Sequence, residues 1–223
     1  LALAAPHLEE HSPFGAPSFA AEDLNKMAQG ETVWKESKKP TGETLLTIGG
    51  VIEATPAAVW IAILDDDHNG LSERVTDREL TPRREGFKSL YQHISLPYPL
   101  SDRHWIIEIQ TDRALYRTSG QRIWRRGWDL DPRGEAALNE LSPKDSAQIQ
   151  SGVWTPANEG EWLVIPAGDN CLSSTAGALM SEEGSLQTSP KPLETREHLI
   201  SLSNSKISRT KCPPTTAADI LLS

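Results

Sequence analysis

Oxygen-bearing side chains alternate along the stretch DDDHNG, which follows an apolar run ending at Leu64. Four residues match the ligands and the turn glycine at the start of a calcium-binding loop: Asp65, Asp67, Asn69 and Gly70. Such a loop needs a glutamate that clamps the ion with two oxygens at its twelfth position, and that position is Thr76. The sequence therefore predicts a solvated acidic loop at a helix end and no metal site. A weak, calcium-stabilised module stays an alternative that rests on this stretch alone.

Three titratable side chains could serve as a general acid or base: His93, His104 and Asp102. Acid–base catalysis requires such a group within reach of the substrate. None of the three belongs to a triad-like arrangement, and single histidines on strands are usually structural or exposed. We assign no catalytic residue and no cofactor, and we favour a protein without enzymatic activity.

Arginine and tryptophan alternate in the stretch RIWRRGW, at Arg122, Trp124, Arg126 and Trp128. This pattern can stack nucleic-acid bases, but cations packed over aromatic rings on a strand are the more common arrangement. The formal net charge of −9 argues against a nucleic-acid surface and against general binding to anionic membranes. We therefore expect no nucleic-acid partner.

Composition favours one domain with tails in a chain of 223 residues. Seven tryptophans suit the lining of a cavity as well as a core. Cys171 and Cys212 have no metal-ligand spacing, and a disulfide between them stays open. No stretch is long enough for a membrane-spanning helix. The segment Leu1–Pro6 resembles the end of a secretory signal, which hints at export and leaves the localisation unknown.

The first third of the chain predicts two helices around one strand. Residues 1–17 contain three prolines and no periodicity, which is typical of a flexible leader. A helix should follow, capped by Ser18 and ended by Gly30. Residues 44–54 predict a strand whose glycine pair marks a bend or bulge. Thr55 and Pro56 then begin a helix with Trp60 on its buried face.

Alternating apolar residues predict a series of antiparallel strands after this helix. They are RVTDREL (74–80), FKSLYQHISL (87–96), HWIIEIQTD (104–112), QRIWRRGWDL (121–130) and EWLVIP (161–166). Residues 131–150 are a polar insertion that could hold a helical turn. The pattern is typical of an α+β protein with helices packed on a curved sheet.

Three segments resemble the START lipid-transfer and polyketide-cyclase (SRPBCC) superfamily, in the order that the family has them. They are GGVIEATPAAVWIAILDD, YQHISLPYPLSDRHW and GEWLVIP, and the resemblance covers about residues 30–168. His104 stands where the family usually has an aspartate after the arginine.

The resemblance implies a helix-grip fold, in which an antiparallel sheet curls around a long closing helix and leaves an apolar tunnel. It implies a hydrophobic ligand, such as a sterol, phospholipid, fatty acid or quinone, and a cyclase or aromatase of the same fold is the alternative. We expect ligand contacts at Arg103, Trp105, Ile107, Ile109, Tyr91 and Trp162, and we expect a monomer. Arg103 shares the strand parity of Trp105 and could equally point into solvent.

The resemblance stops near Asn170, so we place the domain at residues 18–170 and an atypical tail at residues 171–223. The tail is rich in serine, threonine and proline, which is typical of disordered or weakly structured segments. Codons read one frame over from Ser174 to Leu186 could encode the family's missing tyrosine and Asp-x-Gly-Gly-x-Leu-Pro motif. Our hypothesis is that a frameshift replaced the native C-terminus and its closing helix.

Overall fold

The structure is a computed structural model. It describes residues 5–12, 14, 19–39, 44–65, 75–99, 101–155 and 157–179. Most of the predicted acidic loop and the tail after Leu179 lie outside these residues. So do Cys212 and most of the codons in the frameshift hypothesis. Ser18, the predicted cap, lies outside them as well.

The helices are α1 (Ala5–His11), α2 (Ala21–Ala28), α3 (Pro56–Leu64), α4 (Arg113–Thr118) and α5 (Ser146–Ser151), with 3-10 helices at Gly134–Glu140 and Pro143–Asp145. The strands are β1 (Val33–Lys38), β2 (Thr44–Ile52), β3 (Val75–Leu80), β4 (Phe87–Ile94), β5 (Asp102–Thr111), β6 (Trp124–Leu130), β7 (Gly152–Trp154), β8 (Glu159–Ala167) and β9 (Asn170–Leu179).

All nine strands form one sheet in the order β1-β2-β9-β8-β6-β5-β4-β3. Neighbours in this order are antiparallel, and β7 adds a short parallel pairing to β5. Within the described residues β1 and β3 form the two edges, so the sheet is not closed. The predicted α+β class with a large antiparallel sheet is confirmed.

Two elements lie where the sequence predicted irregular chain. α1 forms within the segment assigned to a flexible leader. β9 pairs along its length with β2 on one side and β8 on the other, so the sheet continues nine residues beyond the predicted boundary at residue 170. Serine and threonine in β9 suggested a tail, but two flanking strands supply every backbone partner that a central strand needs.

The glycine pair in β2 is not a bulge, which corrects that part of the prediction. β2 stays in register with β9 through both residues, with Gly49 opposite Ser174 and Gly50 opposite Ser173. A Cβ on Gly49 would lie 2.8 Å from Met27 Cε and 2.8 Å from Phe19 Cζ. A larger residue at position 49 would therefore press on Phe19 and on Met27 of α2, which pack on this part of the strand.

The two faces of the sheet carry different helices, and we name them the α2 face and the α3 face. On the α2 face, α2 and the segment 134–154 cover two separate apolar clusters. On the α3 face, Val59, Trp60 and Ile63 of α3 pack on Trp124 of β6, together with β8 and β9. The predicted start of α3 is confirmed, because the Thr55 hydroxyl accepts a hydrogen bond from the Ala58 amide at 3.3 Å.

A buried group of titratable side chains lies on the α2 face, under the segment 134–154. His93 and His104 are directly opposite each other in β4 and β5. The Tyr91 hydroxyl lies 3.5 Å from Nδ1 of His104, and the Trp154 ring packs edge-on against His104. Burial lowers the pKa of His104, nearby His93 lowers it further, and Glu135 acts in the opposite direction.

Replacing Trp60 with alanine should lower the free energy of unfolding by about 3–5 kcal/mol. The side chain is 2% exposed and its ring centroid lies 5.4 Å from that of Trp124. Urea unfolding of Trp60→Ala measures the loss. Trp34→Ala is the control, because Trp34 is 37% exposed and should cost about 1 kcal/mol or less. Equal losses in the two variants would contradict the packing of α3.

The protein should become less stable as the pH falls below about 6.5, the ordinary pKa of histidine. His104 binds its proton at a lower pH in the folded chain than in the unfolded chain. Between these two pKa values the unfolded state holds more protons, so acid favours unfolding. Urea unfolding between about pH 5.5 and 7.5 measures the slope, which His104→Gln should flatten. An unchanged slope in His104→Gln would refute the assignment.

Candidate functional site

The four β5 residues predicted to contact ligand share the α3 face. Arg103, Trp105, Ile107 and Ile109 alternate along β5 and pair with β4 residues of the same face. Ile107 and Ile109 form an apolar cluster with strand residues of β4 and β6, namely Leu90, Trp128 and Leu130, and Trp105 packs against it. The predicted apolar wall therefore exists as a continuous surface across three strands.

Tyr91 does not belong to this wall, which corrects its predicted grouping. It pairs with Ile106, so it has the opposite parity to Ile107 and lies on the α2 face. Burial raises the pKa of Tyr91 to about 12, and the side chain packs with Leu80 and Ile106 under the segment 134–154. The resemblance identified the strand correctly, but parity assigns this tyrosine to the core.

The candidate acid–base residues lie on that same face. His104 and Asp102 have the parity of Ile106, and Nε2 of His93 lies 3.3 Å from Oδ2 of Asp102. The sheet thus separates all three side chains from the α3 face.

A cavity of about 240 Å³ lies between α3 and the sheet. Its apolar lining comes from β2, α3 and β8, namely Ile48, Ile52, Val59, Ala62, Ile63 and Trp162. Trp162 is the predicted site residue that borders this cavity. The β5 wall lies on the same face on the far side of β6, since Trp162 pairs with Arg126 and Arg126 pairs with Thr111.

Two hydroxyl groups of β9 border the cavity. The Thr175 hydroxyl donates to the Glu161 carbonyl oxygen at 2.9 Å. Ser173 is 6% exposed, and its hydroxyl has no hydrogen-bond partner within the described structure. Sequence reasoning missed Ser173 because it assigned residues after 170 to the tail. Strand alternation was the signal that could have found it. Cys171, Ser173 and Thr175 are two residues apart, so in a strand their side chains lie on one face.

Arg126 fixes the end of α3 that borders the cavity. It is 7% exposed, and its Nη1 donates to the Ile63 carbonyl oxygen at 2.6 Å. A cation at the C-terminal end of a helix is favoured by the helix dipole. Arg126 was predicted to pack over aromatic rings, and the structure adds a backbone contact that holds α3 to β6.

A larger cavity, of about 960 Å³, opens on the α2 face between its two apolar clusters. Its charged residues pair with each other or with close neighbours. Arg83 and Arg84 bind Glu108, and Arg125 binds Glu161 and Asp112. We therefore regard it as a solvated charged groove, and the smaller, apolar cavity is the candidate site.

Among the described residues, none of the helices has the length and apolar character needed to cross a membrane.

No protein-family model matches the chain, and no curated protein does. Solved structures are similar to it in fold. A STAR-related lipid transfer protein from Xanthomonas axonopodis is 16% identical with a TM-score of 0.51, over 78% of this chain and 97% of that one. The human StarD13 lipid transfer and protein localization domain is 13% identical with a TM-score of 0.52, over 86% of this chain and 96% of that one. The chain thus has the START-like, helix-grip fold that its strand, helix and turn segments predicted.

Proposed function

We propose that the chain binds a hydrophobic or amphipathic small molecule on the α3 face of the sheet. The observation that carries the proposal is the cavity beside α3, where apolar side chains meet the buried Ser173 hydroxyl, which has no hydrogen-bond partner among the described residues. Glu31, Thr32 and Glu53 also border the cavity. Ligand sites are typically apolar with a few polar groups that fix the orientation of the ligand.

The ligand should carry an oxygen near the end of an apolar body. The lining of Ile48, Val59, Ile63 and Trp162 favours burial of hydrocarbon. A buried hydroxyl without a partner is unfavourable, so a ligand oxygen that hydrogen bonds to Ser173 gains binding energy by relieving that cost. Sterols, phospholipids, fatty acids and quinones share this chemistry.

The wall on β5 would extend the site for a longer ligand. A volume of about 240 Å³ is smaller than the roughly 300–1,000 Å³ of common ligand sites. The apolar surface of Trp105, Ile107 and Ile109 continues on the same face, and Arg103 lies at the end of this wall. We propose that a ligand held beside α3 extends towards this surface.

Enzymatic activity finds less support. A cyclase-type reaction requires an acid or base that faces the substrate, whereas His93, His104 and Asp102 lie on the α2 face.

Two measurements test the proposal directly. Organic extraction of the purified chain followed by mass spectrometry should identify a co-purifying lipid. A fluorescent fatty acid should bind and be displaced by unlabelled competitors. A folded sample that carries no lipid and binds no fatty acid, sterol or phospholipid probe would refute the proposed function.

Ser173→Ala should weaken binding of the fluorescent fatty acid about 2- to 10-fold, the effect of losing one hydrogen bond. Thr47→Val is the matched control, because Thr47 is a fully buried β2 residue on the α2 face whose hydroxyl also has no partner in the part of the chain that the structure describes. Thr47→Val should leave the affinity unchanged. A weaker affinity in both variants would show a general effect on folding instead of a contact with the ligand.

Gly50→Leu should reduce binding of the same probe at least tenfold while the chain stays folded. Gly50 borders the cavity, and an added Cβ would make ordinary contacts with Thr32 Oγ1 at 3.8 Å and the Glu31 carbonyl oxygen at 4.0 Å, so a side chain can start here without collision and fill the cavity. Gly49→Ala instead places its Cβ against Met27 and Phe19 and should lower the melting temperature. Wild-type affinity in Gly50→Leu would place the ligand elsewhere.

A further inference from the structure

One turn of α1 brings together three metal-binding side chains, at His7, Glu10 and His11. Residues three and four apart in a helix share a face. Nδ1 of His7 lies 3.2 Å from Oε2 of Glu10, and Nε2 of His11 lies 3.7 Å from the same oxygen. The two imidazole rings are stacked, with centroids 5.7 Å apart and an angle of 6° between their planes.

The three side chains converge on one point. Their ligand atoms all lie within 4.8 Å of one another. Among the described residues, no second group of three histidine, cysteine or carboxylate side chains is this close. Three atoms this close need only small rotations of their side chains to reach the roughly 2.0–2.2 Å bonds that a transition metal forms with nitrogen and oxygen.

An ion pair alone explains the arrangement of the three side chains less well than a metal site does. Exposed pairs between histidine and glutamate contribute at most about 1 kcal/mol. An imidazole offers one ring nitrogen with a lone pair to a metal, so both histidines can act as ligands beside the carboxylate.

We propose that His7, Glu10 and His11 bind a divalent transition-metal ion. Two imidazoles and one carboxylate suit Zn²⁺, Fe²⁺, Ni²⁺ or Cu²⁺, whereas Ca²⁺ and Mg²⁺ prefer sites made of oxygen ligands. The ion links residues on successive turns of a helix of seven residues. Isolated helices of this length are marginal in water, so the metal stabilises α1 and couples its formation to binding. Three protein ligands leave a coordination position for water or for a group from another molecule.

Isothermal titration of ZnCl₂ into the full chain, prepared without a histidine tag, tests the site. We expect one Zn²⁺ per chain at neutral pH and weaker binding in acid, because protons compete for the ring nitrogens. His7→Ala and His11→Ala should each weaken binding at least about tenfold, since even indirect partners of metal ligands contribute about 10–100-fold. Glu10→Gln should also weaken it.

Two controls separate this site from other metal-binding groups. Glu9→Gln removes a neighbouring carboxylate of the same helix and should bind Zn²⁺ as the wild type does. His198→Ala removes a histidine from the tail and should also have no effect. Absence of Zn²⁺ binding in the wild type would refute the proposal, as would unchanged affinity in the double variant His7→Ala/His11→Ala. None of these outcomes depends on the lipid-binding proposal.

Discussion

The position of α3 depends on a single buried cation. Arg126 extends from the sheet to the last turn of the helix and donates to the Ile63 carbonyl oxygen. Removing a guanidinium from water is costly unless its hydrogen bonds are replaced, and the negative end of the helix dipole provides a favourable partner. Because Ile63 also lines the cavity, the same contact fixes one wall of the candidate site.

Sequence periodicity predicted the elements whose two faces differ in polarity. β2, β4, β5 and α3 lie close to where their apolar patterns predicted them. β9 and β1 were missed for different reasons. β9 carries small hydroxyl residues whose strand state is set by the strands on both sides, and β1 is an edge strand with mixed charges. Whether such segments form strands depends on pairing with strands far along the chain, and local propensity contains no information about that pairing.

Only part of the candidate site was predicted from the sequence, because the sequence did not always show on which face of the sheet a strand residue lies. Alternation along β5 placed Trp105, Ile107 and Ile109 on one face, as the structure has them. Tyr91 was grouped with them because the family pattern identifies a strand but not its register. A register is fixed by the neighbouring strand, and a shift of one residue reverses every side chain. The cavity beside α3 could not be derived from sequence, because it depends on how closely the helix approaches β2 and β8.

The adjacent glycines of β2 meet two different requirements, close packing on one face of the sheet and space for the cavity on the other. Gly49 faces Phe19 and Met27, where any side chain would collide, while Gly50 faces the cavity with room for one. Substitutions at residue 49 are therefore limited by the packing of α2, whereas a Cβ at residue 50 makes only ordinary contacts. Under the proposed function, single substitutions at residue 50 would narrow or reshape the cavity while the chain stays folded. One strand thus carries a position limited by packing next to a position at which the cavity can change.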